Sequence, residues 1–180
     1  MYKIYLSLPF LLLSFFASFG QSHLNIGTGY FGHTITHPGI VLELEKETFF
    51  TNKASIPVRI DLGFFNHPRN HTGIFADANI GFRRHYQSGL FLEESIGIGI
   101  FEGILNSDGV FEVNQEGIVS ESSRWMAPDF MPSVTLGAGY TFNEKVSVWV
   151  RPKLYWQIPH KTSSTWNPVL QVGFSYRMGE

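Results

Sequence analysis

There is no cysteine among the 180 residues. That absence excludes disulfides, thiolate metal sites, thiol nucleophiles and a lipid-modified N-terminal cysteine. Charge is scarce as well: Asp, Glu, Lys and Arg make up 16% of the chain, against roughly 25% in ordinary globular domains. With a formal net charge of −2, nothing in the balance favours nucleic acid or another polyanion. Helical patterning is missing too, because apolar residues nowhere keep a spacing of three and four for long. Beyond residue 20, no apolar run approaches the roughly 20 residues that a membrane-spanning helix needs.

The single long apolar run, Ile4 to Phe16, follows a short basic start at Lys3 and precedes small residues at Ser18 and Gly20. It is shorter than a spanning helix and is followed by plausible cleavage positions, as in an export signal. The expected organisation is a signal peptide over 1–20 and one barrel domain over 21–180, with an uncleaved anchor as the alternative.

What the chain has in abundance is aromatic residues, at 16% with 17 Phe, and strict alternation. In the final stretch Leu170, Val172, Phe174, Tyr176 and Met178 share one parity, while Gln171, Gly173, Ser175 and Arg177 share the other. A strand sends successive side chains to opposite faces, so this segment is a two-faced strand. Similar segments run from His23 to Gly32, Ile40 to Phe49, Ile56 to Phe65, Ile74 to His85, Leu90 to Phe101, Val134 to Phe142 and Val146 to Ile158. The expected fold is all-β, an eight-stranded antiparallel up-and-down transmembrane barrel, whose tilted strands need about 9–11 residues each. The breaks alternate as well. Thr51–Ala54, Tyr86–Gly89 and Asn143–Lys145 are tight. The others, around His33–Gly39, Asn66–Gly73, Gly103–Phe130 and Pro159–Pro168, are longer or carry Pro and His. Short periplasmic turns and longer outward loops give that pattern.

Alternation does not by itself say which face is inside, and a soluble lipocalin-like barrel has the same period. The polar face decides it. Gly27, Gly29, Gly63, Gly81, Gly97, Gly99, Gly137, Gly139 and Gly173 all lie there. Glycine weakens a water-facing strand, but a narrow barrel interior needs small residues opposite large ones. The same parity carries Glu43, Glu45, Glu47, Asp61, Asp77 and Glu93 against Arg59, Arg83, Arg151, Lys153 and Arg177. Buried charges persist only when paired, so these are expected to form a lumen charge network. Aromatics near strand ends, Tyr30, Phe64, Phe142, Trp156 and Tyr176, suit interfacial girdles.

The end of the chain resembles the C-terminal assembly signal of bacterial outer-membrane proteins, at Gln171, Gly173, Tyr176 and Met178. The resemblance implies that the barrel-assembly machinery pairs with this strand during biogenesis. It departs from the usual pattern, which ends on Phe or Tyr. In whole-chain pattern the sequence is similar to the small eight-stranded outer-membrane barrels of the OmpA/OmpX type. Its aromatic-rich style, with Thr36-His37-Pro38-Gly39 after the first strand, resembles small barrels of Bacteroidetes-like bacteria. The resemblance implies an outer-membrane location, outer-membrane lipid as a partner, no nucleic acid, and a non-enzymatic structural or surface-recognition role. A narrow pore, a lipid A-modifying barrel and a soluble binding barrel are the alternatives.

The residues offer little chemistry. The lipid A deacylase motif, His-x-Ser-Asn with a later Glu, is approached only by His85, Ser88, Glu93 and Glu94, with the wrong spacing and no Asn; a turn with a rim histidine is the simpler account, and no catalytic residue is expected. His33, His37, His67, His71 and His160 all fall in or beside outward loops. Imidazoles there are able to bind zinc or copper, but the spacings match no metal motif, so no metal or cofactor is expected. The insert from Gly103 to Phe130 is the place to look for an extracellular ligand or partner, since long loops are often functional. Val110–Val113 and Gly117–Val119 are expected to form a hairpin, with Trp125, Met126 and Phe130 folding over the mouth.

Overall fold

The computed structural model describes residues 22–33, 37–68, 70–107, 110–113, 117–158 and 165–179. The expected signal peptide and His160 lie outside them. The strands are β1 (Ser22–His33), β2 (His37–Thr51), β3 (Ala54–Asn66), β4 (His71–His85), β5 (Leu90–Leu105), β6 (Val110–Val113), β7 (Val119–Ser122), β8 (Asp129–Phe130), β9 (Ser133–Phe142), β10 (Val146–Gln157) and β11 (Thr165–Met178). β1 to β5 and β9 to β11 pair antiparallel in chain order, and β1 pairs with β11 to close the sheet. This is the eight-stranded transmembrane barrel that the alternation predicts. Closure leaves no open edge, the condition for spanning lipid with strands.

Register makes the barrel strongly tilted. A lap by paired residues runs Leu24, Lys46, Val58, Ile80, Ile96, Val134, Leu154, Pro168. It starts near the foot of β1 and arrives just past His33, since the next residue on β11, Val169, already faces His33. Two prolines shape the wall. Pro57 pairs with Glu47 and Pro152 with Leu170, but neither has a partner in the ladder on its other side. Each faces that neighbour with the side where its missing N–H would have been.

The tight ends are as short as expected. Asn143 and Glu144 both have positive φ, 48° and 60°, within a three-residue connection that the Lys145 N–H closes by donating to the Phe142 carbonyl at 3.2 Å; positive φ at both central residues matches strand twist. The other end differs from expectation. β1 continues to His33 and β2 starts at His37, directly opposite it, so only three residues separate the strands. β3 and β4 likewise extend to Asn66 and His71, and β5 to Leu105. His33, His37, Pro38, His67, Pro68 and His71, assigned to long loops, thus lie on or beside strands that rise past the apolar band.

The insert is also re-sorted. β6 and β7 form a hairpin of their own, as expected, but its second strand is Val119–Ser122 and not Gly117–Val119. Phe130 does not cover the mouth. β8 continues β9 in register along β5, Ile100 facing Phe130 and Gly97 facing Ser133, so Phe130 points outward and is half-exposed while Asp129 and Met131 point inward. Pro132, which lacks an N–H, sits where the two pieces separate. This stretch completes the wall.

The faces are inverted relative to a soluble barrel. Ile96, Ile98, Ile100 and Leu136 are each at least 61% exposed, whereas Glu45, Arg59, Asp61 and Arg151 are 1% exposed. Such a continuous apolar exterior is suited to hydrocarbon and not to water. Aromatics ring both margins, with Tyr30, Phe64, Trp156 and Trp166 at the loop end and Phe50, Phe82, Tyr140 and Phe142 at the turn end.

Candidate functional site

The lumen is filled in two tiers. The tier nearer the tight turns is ionic. Arg83 grips Glu45 with both terminal nitrogens, Nη1 to Oε1 at 2.9 Å and Nη2 to Oε2 at 2.8 Å. Its Nε donates to Glu93 at 2.9 Å and its Nη1 lies 3.1 Å from Glu47. Arg59 reaches Asp61 at 3.2 Å, Glu93 at 3.1 Å and Glu45 at 3.5 Å. Arg151 pairs with Glu93 at 2.6 Å and with Glu43, and its guanidinium lies over the Trp149 ring at 4.1 Å. Lys153 pairs with Asp77 and lies 4.0 Å from Asp61. Glu93 and Glu45 therefore each face three guanidiniums, with Arg151 3.7 Å from Glu45. Asn25 donates to Glu45, and Asn79 to Asp61 and Asp77.

Ten of the eleven residues expected to face each other across the lumen, Glu43, Glu45, Glu47, Arg59, Asp61, Asp77, Arg83, Glu93, Arg151 and Lys153, lie in this one network. Arg177 stands apart, at the turn-end rim beside His23, His85 and Glu144, around a vestibule of about 640 Å³. There His85 Nε2 lies 2.9 Å from Glu47 Oε1 and 3.0 Å from Ser55 Oγ. Both contacts use the same ring nitrogen, so His85 cannot relay a proton between a carboxylate and a serine as a triad histidine does. Ser88 instead accepts the Leu90 N–H at 3.4 Å, within its own turn.

The second tier, toward the loops, is aromatic, which corrects the expectation of a lumen polar throughout. Phe31, Phe65, Phe75, Phe101, Met131 and Tyr155 are almost fully buried. Phe31 packs on Phe75 at 4.5 Å between centroids and on Phe65 at 5.8 Å. A Cβ at Gly73 would meet the rings of Phe65 and Phe101 at 2.5 Å and 2.6 Å. These rings occupy the parity of the inward glycines, so Gly29-x-Phe31 and Gly63-x-Phe65 already carried the signal: an aromatic on the glycine face.

Above this tier the loop-end mouth gathers histidines. His33 stacks on Phe65 at 4.4 Å, and its Nε2 lies 3.3 Å from Asn167 Oδ1. His37 stacks on His67 at 3.8 Å, and His67 lies 6.0 Å from His71. The mouth stands beyond the Tyr30–Phe64 girdle, outside the apolar band. Burial pushes the His33 imidazole down to about 4, the neighbouring histidines add to this, and the Asn167 hydrogen bond opposes it. Burial lowers His71 too, with His67 and His37 contributing. Among the described residues no three His, Asp or Glu side chains already converge on one point.

The terminal residues divide between the two faces. Gln171 is buried beside Arg151 and Phe31 in the register, and Gly173 lies against Trp149. Tyr176 and Met178 face outward on the strand that joins the two ends of the sheet.

A closed, outward-apolar, eight-stranded barrel with a packed ionic lumen is the fold of the small outer-membrane barrels. Solved structures agree. The chain resembles Neisserial surface protein A, NspA, with a TM-score of 0.54 at 9% identity, covering 87% of this chain and 95% of that one. It also resembles Ail, the attachment invasion locus protein of Yersinia pestis, with a TM-score of 0.50 at 12% identity over 89% and 100% of the two chains. Ail crystallised with the heparin analogue sucrose octasulfate gives 0.51 at 13% identity over the same shares. No protein-family model and no curated protein matches the sequence.

Proposed function

We propose that the chain is exported by the signal peptide over 1–20 and assembled into the outer membrane as a plugged, non-enzymatic barrel that acts through its loop-end surface. The tight turns and both termini face the periplasm in this reading. The barrel-assembly machinery reads Gln171, Gly173, Tyr176 and Met178, and outer-membrane lipid covers the apolar wall. The observation that carries the proposal is the packing of the lumen: no ion-paired Arg, Lys, Asp or Glu in the network has a side chain more than 5% exposed, and an aromatic tier lies above. Charges locked in mutual pairs beneath a layer of rings leave ions no solvated path.

The surface offered to a partner is the β6–β7 arm. Phe111, Val113, Ile118 and Val119 are each at least 58% exposed there, a cluster of apolar side chains on a hairpin standing clear of the barrel. Exposed apolar patches of this kind mark interaction sites. Reconstitution in planar bilayers tests the plugged lumen. Silent membranes with wild type and with Arg59→Ala, Arg83→Ala and Arg151→Ala are expected of a structural or recognition barrel, and stepwise conductance from the wild type would make it a pore. Unchanged lipid A mass spectra with and without the protein are expected as well, and a shifted species would make it an enzyme.

A further inference from the structure

The turn-end vestibule holds a cation that the lumen network does not use. Arg177 lies on the inward parity of β11, opposite Asn25 in the register, and its backbone N–H donates to the Lys145 carbonyl at 2.8 Å. Its side chain is different. Among the described residues no carboxylate pairs with the Arg177 guanidinium, and its Nε is enclosed without a hydrogen-bond partner. An enclosed guanidinium nitrogen left unpaired costs free energy that a bound anion offsets.

The rest of the vestibule is aromatic and nearly free of acid. Its volume, about 640 Å³, falls in the range of small-molecule sites. Phe49 points inward from the end of β2 between two imidazoles, with His23 edge-on at 5.5 Å and His85 at 5.0 Å. Tyr86 lines the wall beyond His85. Because β4 stands opposite β11 in the strand order, this apolar side faces Arg177 across the mouth. Glu144, exposed on the β9–β10 turn, is the only carboxylate among the described lining residues. Glu47 lies deeper and is already held by Arg83, Ser55 and His85. Burial lowers the His23 imidazole from its ordinary value, Arg177 adds to this, and Glu47 opposes it.

We infer that the turn-end vestibule binds a monocarboxylate that carries an apolar group, with the carboxylate on Arg177 and the apolar group on Phe49 and Tyr86. A planar guanidinium matches a carboxylate with two parallel hydrogen bonds. One such cation, with Glu144 nearby, suits a single negative charge and not a doubly charged phosphate. The aromatic side excludes a bare inorganic anion as the best fit, because it would leave those rings uncovered. The site rests on the turn-end geometry and holds whether or not the lumen conducts; only the compartment that supplies the ligand rests on the orientation proposed above.

The test uses the barrel refolded in detergent and titrated by NMR with N-acetylphenylalanine, with its neutral amide and inorganic phosphate as controls. The acid is expected to bind at least about tenfold more tightly than either, the scale of one charged hydrogen bond. Arg177→Gln should weaken it by a similar factor, Glu144→Gln should tighten it, and His71→Ala, at the loop end, should leave it unchanged. Gel mobility before and after boiling shows which variants fold. The wild type supplies a second readout that needs no variant: the His23 titration midpoint should rise by about one unit when the acid is bound, because the carboxylate cancels the field of Arg177. A short peptide ending in Phe that binds more tightly than the single acid supports the site and makes a chain terminus the ligand; equal affinity supports it and makes a free acid the ligand. Equal binding of the amide or of phosphate, affinity retained by folded Arg177→Gln, or an unmoved His23 midpoint would each overturn the assignment.

Discussion

Asp61 and Asp77 stand directly opposite each other across the β3–β4 ladder, inside the lumen, with the Asn79 amide donating to both at 3.3 Å and 3.1 Å. Like charges opposite one another in a sheet destabilise it. The neighbouring cations, Lys153 and Arg59, hold the arrangement in place.

The surrounding network gives that pair its meaning. Its carboxylates are Glu43, Glu45, Glu47, Asp61, Asp77 and Glu93, and its cations are Arg59, Arg83, Arg151 and Lys153. Cations are thus the scarcer partner, and losing one should cost more than losing an acid. Lys153→Met is expected to destabilise the barrel by about 3–5 kcal/mol, the usual cost of stranding buried charge. Asp77→Asn, which removes one of the facing acids and leaves Lys153 beside Asp61, should stay within about 1 kcal/mol of wild type. Urea unfolding in lipid, followed by tryptophan fluorescence, measures both. Equal costs would mean that the acid surplus is not felt.

Glu93 and Glu45 are the exceptions among the acids, because Arg59, Arg83 and Arg151 all converge on each. Glu93→Gln is expected to cost about 3–5 kcal/mol in the same assay. The exposed Glu121→Gln, on the hairpin arm, should change stability by less than about 0.5 kcal/mol.

The aromatic tier depends on glycine beneath it. At Gly73 a methyl group would meet two phenylalanine rings, so Gly73→Ala is expected to destabilise by about 1–3 kcal/mol through overpacking. Shaving Phe101 in the double variant Gly73→Ala/Phe101→Leu should recover part of that loss. A loss that the second change leaves untouched would assign the cost to the backbone instead of the rings.

Acid should loosen the loop-end mouth. His33 is held at about 4 when folded, below its ordinary 6.5, so the unfolded chain binds the proton first. Its contribution to stability is complete above pH 6.5 and is lost as pH falls toward 4. Among the described residues, the groups packed around it, His37, His67 and His71 with the Phe65 ring, Asn167 and Tyr155, include no carboxylate to offset the new charge. Histidine NMR should show His33 titrating near 4, with faster amide exchange at the β1–β2 and β3–β4 ends below pH 6.5. A midpoint near 6.5, His33's ordinary value, would contradict the burial argument.

How much of this was legible in the sequence follows from what alternation encodes. Parity is local, so the last segment already shows Gln171 and Gly173 on one face and Tyr176 and Met178 on the other. The abundance of glycine among the acids and arginines marked that face as the interior. What parity cannot give is height along the barrel axis, which depends on strand tilt. For that reason Arg177 shared the parity of Arg59 and Arg151 yet lies at the rim. His33 and His37 looked like loop residues because Pro38 and Gly39 follow, although the ladder runs through them. Phe130 was misplaced because Pro132 hides the continuity of β8 and β9. The histidine row needed the β2–β3 neighbourhood, a long-range contact that no spacing records.

Electrophoretic mobility of the protein from a washed outer-membrane fraction, with and without boiling, tests most directly whether it is a membrane barrel with its polar face inward. Such a barrel gives a faster-migrating band in the unboiled sample of that fraction, converting to the full 20.4 kDa position, less any removed signal peptide, on heating. Recovery of the protein from the soluble periplasm without detergent, with one mobility in both samples, would contradict it.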